Sequence, residues 1–282
     1  MSARAALSAM PWSARLGLAL CGTIGLLALF GPSVIPYSPD AIDLSQRLLA
    51  PHPAHPFGTD ELGRDLMARV AAGAGYSISA ALGVVTCSVV LGCLIGASSA
   101  LAGRWIDVAV MRLMDILLAV PALVLAMALA AALGPGLLNA MIALVVARIP
   151  AYVRLARNQA LTLRRQGFVE AAGLYGAGPG YIVARHLAPN LAPVLIVQGL
   201  TDVGGVILAS AALGFIGLGA QPPTPEWGVL ASSGRLFFLE CWWYAVFPGL
   251  AILCATMGFN LVGDWARDRM DPRLTARRTA TA

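Results

Sequence analysis

Six long apolar runs separated by polar stretches dominate the pattern of the sequence. A bilayer core of about 30 Å requires roughly 20 mainly apolar residues in a helix, and six segments approach that length. Their ranges are 16–35, 77–101, 113–133, 137–153, 193–215 and 243–262. Because backbone in lipid must satisfy its polar groups within its own segment, each run is predicted to be helical. The sequence therefore predicts an all-α, polytopic membrane protein with six transmembrane helices. In the second of them, the spacing Gly92-x-x-x-Gly96 is suited to close helix packing.

Two of these runs have features that need interpretation. Arg4 and Arg15 precede the first run, as in a secretory signal, but no clear A-x-A cleavage site follows it. We therefore predict a retained helix there. The fourth run is short and is interrupted by Arg148 and Pro150. Pro150, and Pro121 in the third run, are predicted to kink their helices, which membrane bundles tolerate when neighbours satisfy the freed backbone groups.

The composition excludes several classes of protein. Hydrophobic residues make up 59% of the chain and charged residues 12%, against about 45–50% and about 25% in soluble domains. The low charge also excludes a disordered chain. All 19 basic residues are arginine. Without a lysine the chain contains no P-loop and no Schiff-base lysine.

The arginines are distributed unevenly between the two sides of the predicted membrane. If the N-terminus is cytoplasmic, fourteen arginines lie inside and four outside, and Arg148 is assigned to neither side; the outer four are Arg47, Arg64, Arg69 and Arg235. The positive-inside rule then predicts that both termini are cytoplasmic. The resulting division is a cytoplasmic segment 1–15, a first helix 16–35, an external loop 36–76, a core 77–264 and a cytoplasmic tail 265–282. This distribution, rather than a single basic patch, accounts for the net charge of +5, and no nucleic-acid partner is predicted.

Two external stretches are rich in proline. In the first, Thr59 is predicted to cap a helix whose first turn holds Asp60 and Glu61. The second, 217–242, is predicted to be a loop. The aromatic residues near its end fit an external aromatic belt; they are Trp227, Trp242, Trp243 and Tyr244.

The predicted cytoplasmic segment 161–192 is long and not simply polar. Residues 168–175 are apolar or small apart from Glu170, and they are predicted to form two helical turns. Gly176, Gly178 and Gly180, with Pro179, then end the helix. A short helix bounded by glycines at the membrane surface is suited to docking into the groove of a partner protein.

The residues of this segment carry a family resemblance. Glu170-Ala171-Ala172, three residues, Gly176 and later Pro189 resemble the E-A-A-x3-G-x9-I-x-L-P signature of bacterial ATP-binding-cassette (ABC) importer permeases. His186 and Ala188 depart from that signature, and the H-x-x-P-N version is similar to the peptide-importer branch. Further similar segments are 57–65, 111–121, 214–228, 247–252 and 260–274. The chain is most similar to the C-type permeases of dipeptide importers, with nickel-importer permeases as near relatives.

The resemblance implies one subunit of a larger machine in the bacterial inner membrane. The implied partners are a homologous B-type permease, two ATP-binding subunits that carry ATP and Mg²⁺, and an extracytoplasmic substrate-binding protein, so no cofactor is expected in this chain. The implied fold is that of type I ABC importers, and the implied mechanism is alternating access. In it, a coupling helix docks on the ATPase, and we assign that docking to Glu170, Ala171, Ala172, Gly173 and Gly176.

Intramembrane charges are candidates for the translocation path. Asp202 lies near the middle of the fifth run, with no basic residue obviously at its depth; the alternative is a hydrogen-bonded interhelical aspartate. Asp115 and Pro121 are further candidates for the path, although Asp115 also fits a surface ion pair with Arg112. Arg148 is predicted to snorkel inward or to pair across helices.

Other functions remain open on the residues alone. His52 and His55 suggest a metal site, but three prolines stiffen their loop and few further ligands accompany them, so no metal is predicted. Dipeptides are the favoured substrate, and nickel or another small solute is the alternative. A stand-alone channel or secondary transporter is disfavoured because no internal repeat is found. A membrane enzyme is disfavoured because no H-E-x-x-H or G-x-S-x-G motif occurs.

Overall fold

The structure, a computed structural model, describes residues 10–270. Residues 1–9 of the predicted N-terminal segment and 271–282 of the predicted tail lie outside this range. Between residues 10 and 270 the only β structure consists of two isolated bridges, His52 to His55 and Thr59 to Asp65. The prediction of an all-α membrane protein is confirmed.

The helices of the described chain alternate between long spans and short connecting elements. In chain order they are α1 (Trp12–Val34), α2 (Leu66–Leu101), α3 (Arg104–Leu118), α4 (Ala122–Leu133), α5 (Leu137–Leu163), α6 (Gly167–Leu174), α7 (Pro179–Phe215), α8 (Trp227–Arg235) and α9 (Trp242–Met270). A 3₁₀ turn at Leu44–Gln46 precedes α2, and α7 includes a π-helical stretch at Val183–Leu187. Five helices are long and apolar enough to cross a membrane: α1, α2, α5, α7 and α9.

The sixth candidate crossing consists of two helices joined at a sharp bend. The helices α3 and α4 qualify as a span only together, and they meet at an angle of 90°. The run predicted over 113–133 is thus divided into two helices, and the break falls at Pro121, where the sequence predicts a kink. Pro121 stands at the N-cap of α4 with φ −53° and ψ 130°. Proline has no amide hydrogen and disfavours helical backbone in the residue before it, so the break falls where α3 has just ended at Leu118.

The helix of the second span begins at Leu66, which is before the predicted run 77–101 and after the predicted cap Thr59. Asp65, rather than Thr59, caps the helix, because the Asp65 side chain accepts a hydrogen bond of 2.7 Å from the Ala68 amide. The Thr59 hydroxyl instead donates to the Gln46 carbonyl at 2.5 Å. The Asp60 side chain accepts the amides of Leu62 and Arg64 at 2.9 Å each, which closes a turn before the helix. The helical prediction around Thr59 is wrong for this reason.

Small residues allow α2 to lie close to α5. A methyl group added to Gly92 would lie 2.3 Å from the Tyr152 Cβ, and one added to Gly96 would lie 2.5 Å from the Val153 carbonyl oxygen. The predicted packing role of the Gly92-x-x-x-Gly96 pair is thus confirmed. The helix α2 also packs on α7 and α1, and α9 packs on α7 and α1, so α2 and α7 lie at the centre of the bundle.

Two different layers close the ends of the bundle. Residues 36–65 and 217–241 form what we call the loop layer, at the end where α2 begins. The predicted loop 217–242 contains the buried helix α8 there. Trp227, Trp243 and Tyr244 are also buried, so the prediction that they face the bilayer is wrong; of that group only Trp242 is half exposed. The short helix α6 lies at the opposite end, where the Arg164 side chain bonds the Ala100 carbonyl near the end of α2.

Candidate coupling helix and intramembrane charge pair

The short helix α6 is fixed to the bundle along one side only. Val169 is its single buried residue and packs into a cluster that includes Ala156, Leu187 and Leu191. Ala171 and Ala172 are partly buried and the other residues of the helix are exposed. At its end Leu174 is 89% exposed and Tyr175 93% exposed. One apolar anchor therefore holds a helix whose remaining surface is mostly left exposed by residues 10–270.

The end of α6 is set by a defined hydrogen-bond pattern. The Ala177 amide bonds the Ala172 carbonyl at 3.0 Å and the Gly176 amide bonds the Gly173 carbonyl at 3.0 Å. These two bonds, with Gly176 at φ +84°, constitute a Schellman motif. Gly176 supplies the left-handed residue that this motif requires, since a side chain would strain it. The glycine of the E-A-A-x3-G pattern thus has a local structural cause.

The structure brings the five predicted coupling residues together on α6 and the turn after it. Glu170, Gly173 and Gly176 are exposed, whereas Ala171 and Ala172 are partly buried. A methyl group added to Gly173 or to Gly176 would meet nothing within 4 Å. Within the described chain the Glu170 side chain makes no hydrogen bond or ion pair.

A depression adjoins this turn. It has a volume of about 480 Å³ and is lined by Ala172, Tyr175, Gly176, Ala177, Gly178, Tyr181 and His186. The His186 ring lies 5.7 Å from the Tyr181 ring and 6.0 Å from the Phe168 ring, measured between centroids. The aromatic rings and small residues leave an open concave surface beside an exposed helix, which is suited to receiving a side chain from another protein.

The second candidate site is a charge pair within the spans. Arg148 on α5 donates a hydrogen bond of 2.8 Å from Nη1 to Oδ1 of Asp202 on α7. The Tyr152 hydroxyl, one turn further along α5, donates to Oδ2 of the same carboxylate at 3.0 Å. The prediction that no basic residue lies at the depth of Asp202 is therefore wrong. The alternative interpretation, a hydrogen-bonded interhelical aspartate, agrees with these contacts. The local sequence pattern does not indicate this partner, because the position of α5 along α7 depends on tertiary packing.

The other two candidates for the translocation path lie apart from this pair. Asp115 pairs with Arg154 of α5 rather than with Arg112, because α3 turns this face toward α5. Pro121 caps α4 at the break in the third span. The arginines that hold Asp202 and Asp115 are six residues apart on α5, a rise of about 9 Å, so the two carboxylates do not form one cluster.

A further ion pair connects α3 and α5. The Arg157 Nε donates to the Asp107 Oδ1 at 2.6 Å, and a second bond joins Arg157 Nη2 to Oδ2. Met114 is the only buried residue of α3. The contacts of α3 with the bundle thus include two arginine–aspartate pairs and one buried apolar residue.

Sequence reasoning missed a buried charge network in the loop layer. The Asp60 side chain is fully buried; Arg64 Nε donates to its Oδ2 at 2.6 Å, and Arg69 Nε lies 3.4 Å from the same oxygen. The Arg69 guanidinium also bonds the carbonyls of Pro39 at 2.9 Å and Pro223 at 3.0 Å. One arginine at the start of α2 thus joins both segments of the loop layer. The signal in the sequence was the dense charge of D-E-L-G-R-D directly before an apolar run.

Glu226 makes the corresponding connection for α8. It caps this helix by accepting a 3.1 Å bond from the Val229 amide, and it accepts a 3.2 Å bond from the Ser77 hydroxyl of α2. Removal of this carboxyl from water raises the pKa of Glu226, although the bonds it accepts oppose that effect. The Trp227 indole nitrogen donates to the Val70 carbonyl at 2.9 Å and completes the connection.

The two histidines of the loop layer have different surroundings. His55 is buried, and its ring nitrogens lie 2.7 Å from Asp65 Oδ2 and 2.6 Å from Gln46 Oε1. The His52 ring is exposed and lies 3.0 Å from the Ala50 carbonyl. Among residues 10–270 no group of three or more histidine, cysteine, aspartate or glutamate residues is arranged to hold a metal ion. His55 is bonded at both nitrogens to its own chain.

The geometry is that of a multi-span helical membrane protein with an exposed short helix at one end and a charge pair within the bundle. Residues 65–276 match the family described as "Binding-protein-dependent transport system inner membrane component". The chain belongs to this family. It is a multi-pass inner-membrane permease subunit of an ABC importer, and membership implies partner ATPase and substrate-binding subunits.

Individual relatives are similar over almost the whole chain. The "Probable D,D-dipeptide transport system permease protein DdpC" of Escherichia coli strain K12 is 51% identical, covering 88% of this chain and 83% of the relative. The dipeptide transport system permease protein DppC of Alkalihalophilus pseudofirmus is 40% identical, over 92% and 85%. The nickel transport system permease protein NikC of Escherichia coli strain K12 is 38% identical, over 93% and 95%.

Proposed function

We propose that this chain is one of two homologous halves of the membrane pathway through which an ATP-driven importer admits dipeptides. The observation that carries the proposal is α6, a helix with one buried residue and a mostly exposed surface, at one end of a membrane bundle. Such a surface is suited to binding a partner protein whose conformational change is transmitted to the bundle. The second half of the pathway is a B-type permease, and a binding protein delivers the dipeptide.

The ATPase is a separate chain in this proposal. The sequence contains no lysine and hence no P-loop, so two ATP-binding subunits supply the hydrolysis. Their binding surface is α6 with the turn after it. Ala172 and Gly173 let a partner backbone approach closely, Glu170 is free to pair with a basic group, and Gly176 fixes where the helix ends.

The orientation follows from α6. Docking to an ATPase requires that this helix is cytoplasmic, and then the loop layer is extracytoplasmic and both termini are cytoplasmic. The test uses Tyr175→Cys and Leu239→Cys in a cysteine-free background, because these residues are 93% and 99% exposed at opposite ends. A membrane-impermeant maleimide should label position 239 in intact cells and position 175 only after permeabilisation. The reverse pattern contradicts the proposal.

The substrate is proposed from the relatives. The relative with 51% identity has a name that specifies D,D-dipeptides, and the nickel permease is less similar at 38%. The decisive measurement is uptake by the complete importer in a strain that lacks its own dipeptide and nickel importers. We expect uptake of a radiolabelled D,D-dipeptide. Uptake of its L,L enantiomer and of ⁶³Ni²⁺ is measured separately for comparison. Uptake of nickel alone would overturn the dipeptide assignment.

The role of α6 has its own test. Gly173→Trp places a large side chain on the exposed surface of α6 without a clash in this chain, since nothing lies within 4 Å of the added carbon. We expect at least a tenfold loss of uptake (~1.4 kcal/mol) while the chain remains folded and inserted. The matched control is Ala109→Trp on the exposed face of α3. Wild-type uptake and wild-type ATPase stimulation by Gly173→Trp would contradict the coupling role.

A further inference from the structure

The central helix α7 has two faces of opposite character. One face forms with α2 an apolar groove of about 510 Å³, to which α7 contributes residues such as Leu195, Gly199 and Val203. The other face carries Gln198, Thr201 and Asp202, which lie within about one helical turn of each other. We call these three residues, with their partners on α5 and α9, the polar strip.

The partners on α9 extend the polar strip toward the α6 end. Arg267 Nη2 lies 3.3 Å from the Gln198 Oε1 and 3.2 Å from the Thr201 Oγ1. Further into the bundle the Thr256 hydroxyl donates to the Gly204 carbonyl at 3.4 Å. Asn260 lies one turn from Thr256 on the same helix and is exposed. Polar groups therefore follow one another from the α6 end of α9 to the level of Asp202.

The strip ends at the Arg148–Asp202 pair in the middle of the span. Asp202 lies 14 residues after Ala188 and 13 before Phe215, the ends of the regular part of α7. The pair is only partly buried, since 27% of the Arg148 side chain and 16% of the Asp202 side chain are exposed. Charges at this depth are costly in lipid and face a bundle interior or a water-filled cavity. The partial exposure of this pair is therefore compatible with a position on the path between the two halves of the importer.

We propose that Arg148 and Asp202 bind the two charged ends of a dipeptide during its passage. Arg148 binds the α-carboxylate through its planar guanidinium, and Asp202 binds the α-ammonium group. This inference rests on the proposed function and identifies residues that recognise its substrate. Tyr152 is 1% exposed and acts as a positioning residue, because its hydroxyl holds the carboxylate of Asp202.

Charge balance favours a zwitterion over a metal cation at this site. The pair has no net charge, and a dipeptide with free termini has none either. When a dipeptide binds, the Arg148–Asp202 ion pair is replaced by two ion pairs with the dipeptide termini. Both side-chain charges then remain compensated, as burial of charge in a low-dielectric environment requires. A divalent cation at Asp202 would displace Arg148 and leave both positive charges close together. The site is also accessible, because Gly205 presents no side chain: a methyl group added there would lie 3.5 Å from the Arg148 Nη2.

The test compares neutral versions of two arginine–aspartate pairs in the same chain. The first is Arg148→Gln with Asp202→Asn, which removes both charges and leaves a polar amide side chain at each position. The matched control is Arg157→Gln with Asp107→Asn at the α3–α5 contact. Each complete importer is reconstituted with its binding protein and ATP, and dipeptide uptake, ATPase stimulation and subunit assembly are measured.

The expected result separates recognition from folding. The control should assemble and transport within about twofold of wild type, because exposed or partly exposed pairs contribute little to stability. The variant at 148 and 202 should assemble and respond to the binding protein, yet take up dipeptide about ten- to a hundredfold more slowly, since hydrogen bonds to two charged groups are lost. Wild-type uptake by this variant, or its failure to assemble, would overturn the proposal.

A second variant tests access to the pair without changing a charge. Gly205→Leu should cover Arg148 and lower dipeptide uptake with assembly intact, whereas Gly22→Leu, at an exposed glycine of α1 with nothing within 4 Å, should not. Equal uptake by these two variants would also overturn the proposal. Failure of the proposed function is distinguishable, because the wild-type importer itself would then take up no dipeptide.

Discussion

The two ends of the bundle are built on different principles. In the loop layer, charged side chains are buried and bonded to several segments at once, as Asp60, Arg69 and Glu226 are. At the opposite end, α6 has one buried residue and ends in exposed Leu174 and Tyr175. One end is completed by its own chain and the other presents a surface for a partner. Substitutions in the loop layer should therefore lower stability, whereas substitutions in α6 should lower coupling.

The largest effect is expected at Asp60. Asp60→Leu leaves Arg64 and Arg69 buried without their shared carboxylate, and loss of one partner from a buried ion pair costs about 3–5 kcal/mol. SDS titration of the purified chain, followed by tryptophan fluorescence, measures this loss. The control is Asp40→Leu, whose side chain is 67% exposed although it lies 3.6 Å from Arg69. Equal stability of the two variants would show that the network does not stabilise the loop layer.

A smaller loss is expected at Glu226. Glu226→Ala removes the cap of α8 and leaves the Val229 amide without its bond, at a cost of about 1–3 kcal/mol. Ser77→Ala removes one of the bonds to Glu226 and should cost less. The same titration ranks the two variants, and a larger loss from Ser77→Ala would contradict the capping role of Glu226.

At the other end, Gly176→Ala should act locally. A side chain at φ +84° is strained by about 1–2 kcal/mol, which corresponds to a roughly 5- to 30-fold change in the opening of α6. Hydrogen exchange measured by mass spectrometry should become faster in α6 and remain unchanged in α8. Faster exchange in both helices would mean that the two ends are not independent.

The smallest effect is a pH dependence carried by Glu226. Because burial raises the pKa of Glu226 in the folded chain, the unfolded chain releases this proton at a lower pH than the folded chain. The contribution of Glu226 to stability is therefore complete below the unfolded pKa and decreases as pH rises through the folded pKa. The stability of the wild type relative to Glu226→Gln should fall with rising pH above the ordinary glutamate value of about 4.3. A flat or rising difference would contradict the pKa direction.

The sequence predicted the features that depend on local pattern. Apolar runs identified the crossings, and Gly92 with Gly96 identified a close helix contact. The short helix between two spans was predicted over 168–175 and is found at Gly167–Leu174. These features follow from periodicity, helix breakers and residue size, all of which are visible in short windows.

Features that depend on distant contacts were missed. The sequence pattern indicates no basic neighbour for Asp202, because its partner Arg148 is 54 residues away. It favours Arg112 as the partner of Asp115, whereas the partner in the structure is Arg154. It also predicts a membrane-facing aromatic belt that includes Trp227 and Tyr244, although α8 and the loop layer bury them. In each case the local pattern was correct, but the partner was set by how separate helices pack.

The Schellman motif at Gly176 changes how the E-A-A-x3-G string should be understood. Its first three letters fall on α6, whose surface is mostly exposed, whereas its glycine is required by the turn that ends this helix. A matching string in an unrelated sequence can therefore arise from turn geometry alone. Homology searches that weight the glycine and the alanines equally combine two kinds of information, and separating them would distinguish a docking element from an ordinary helix end.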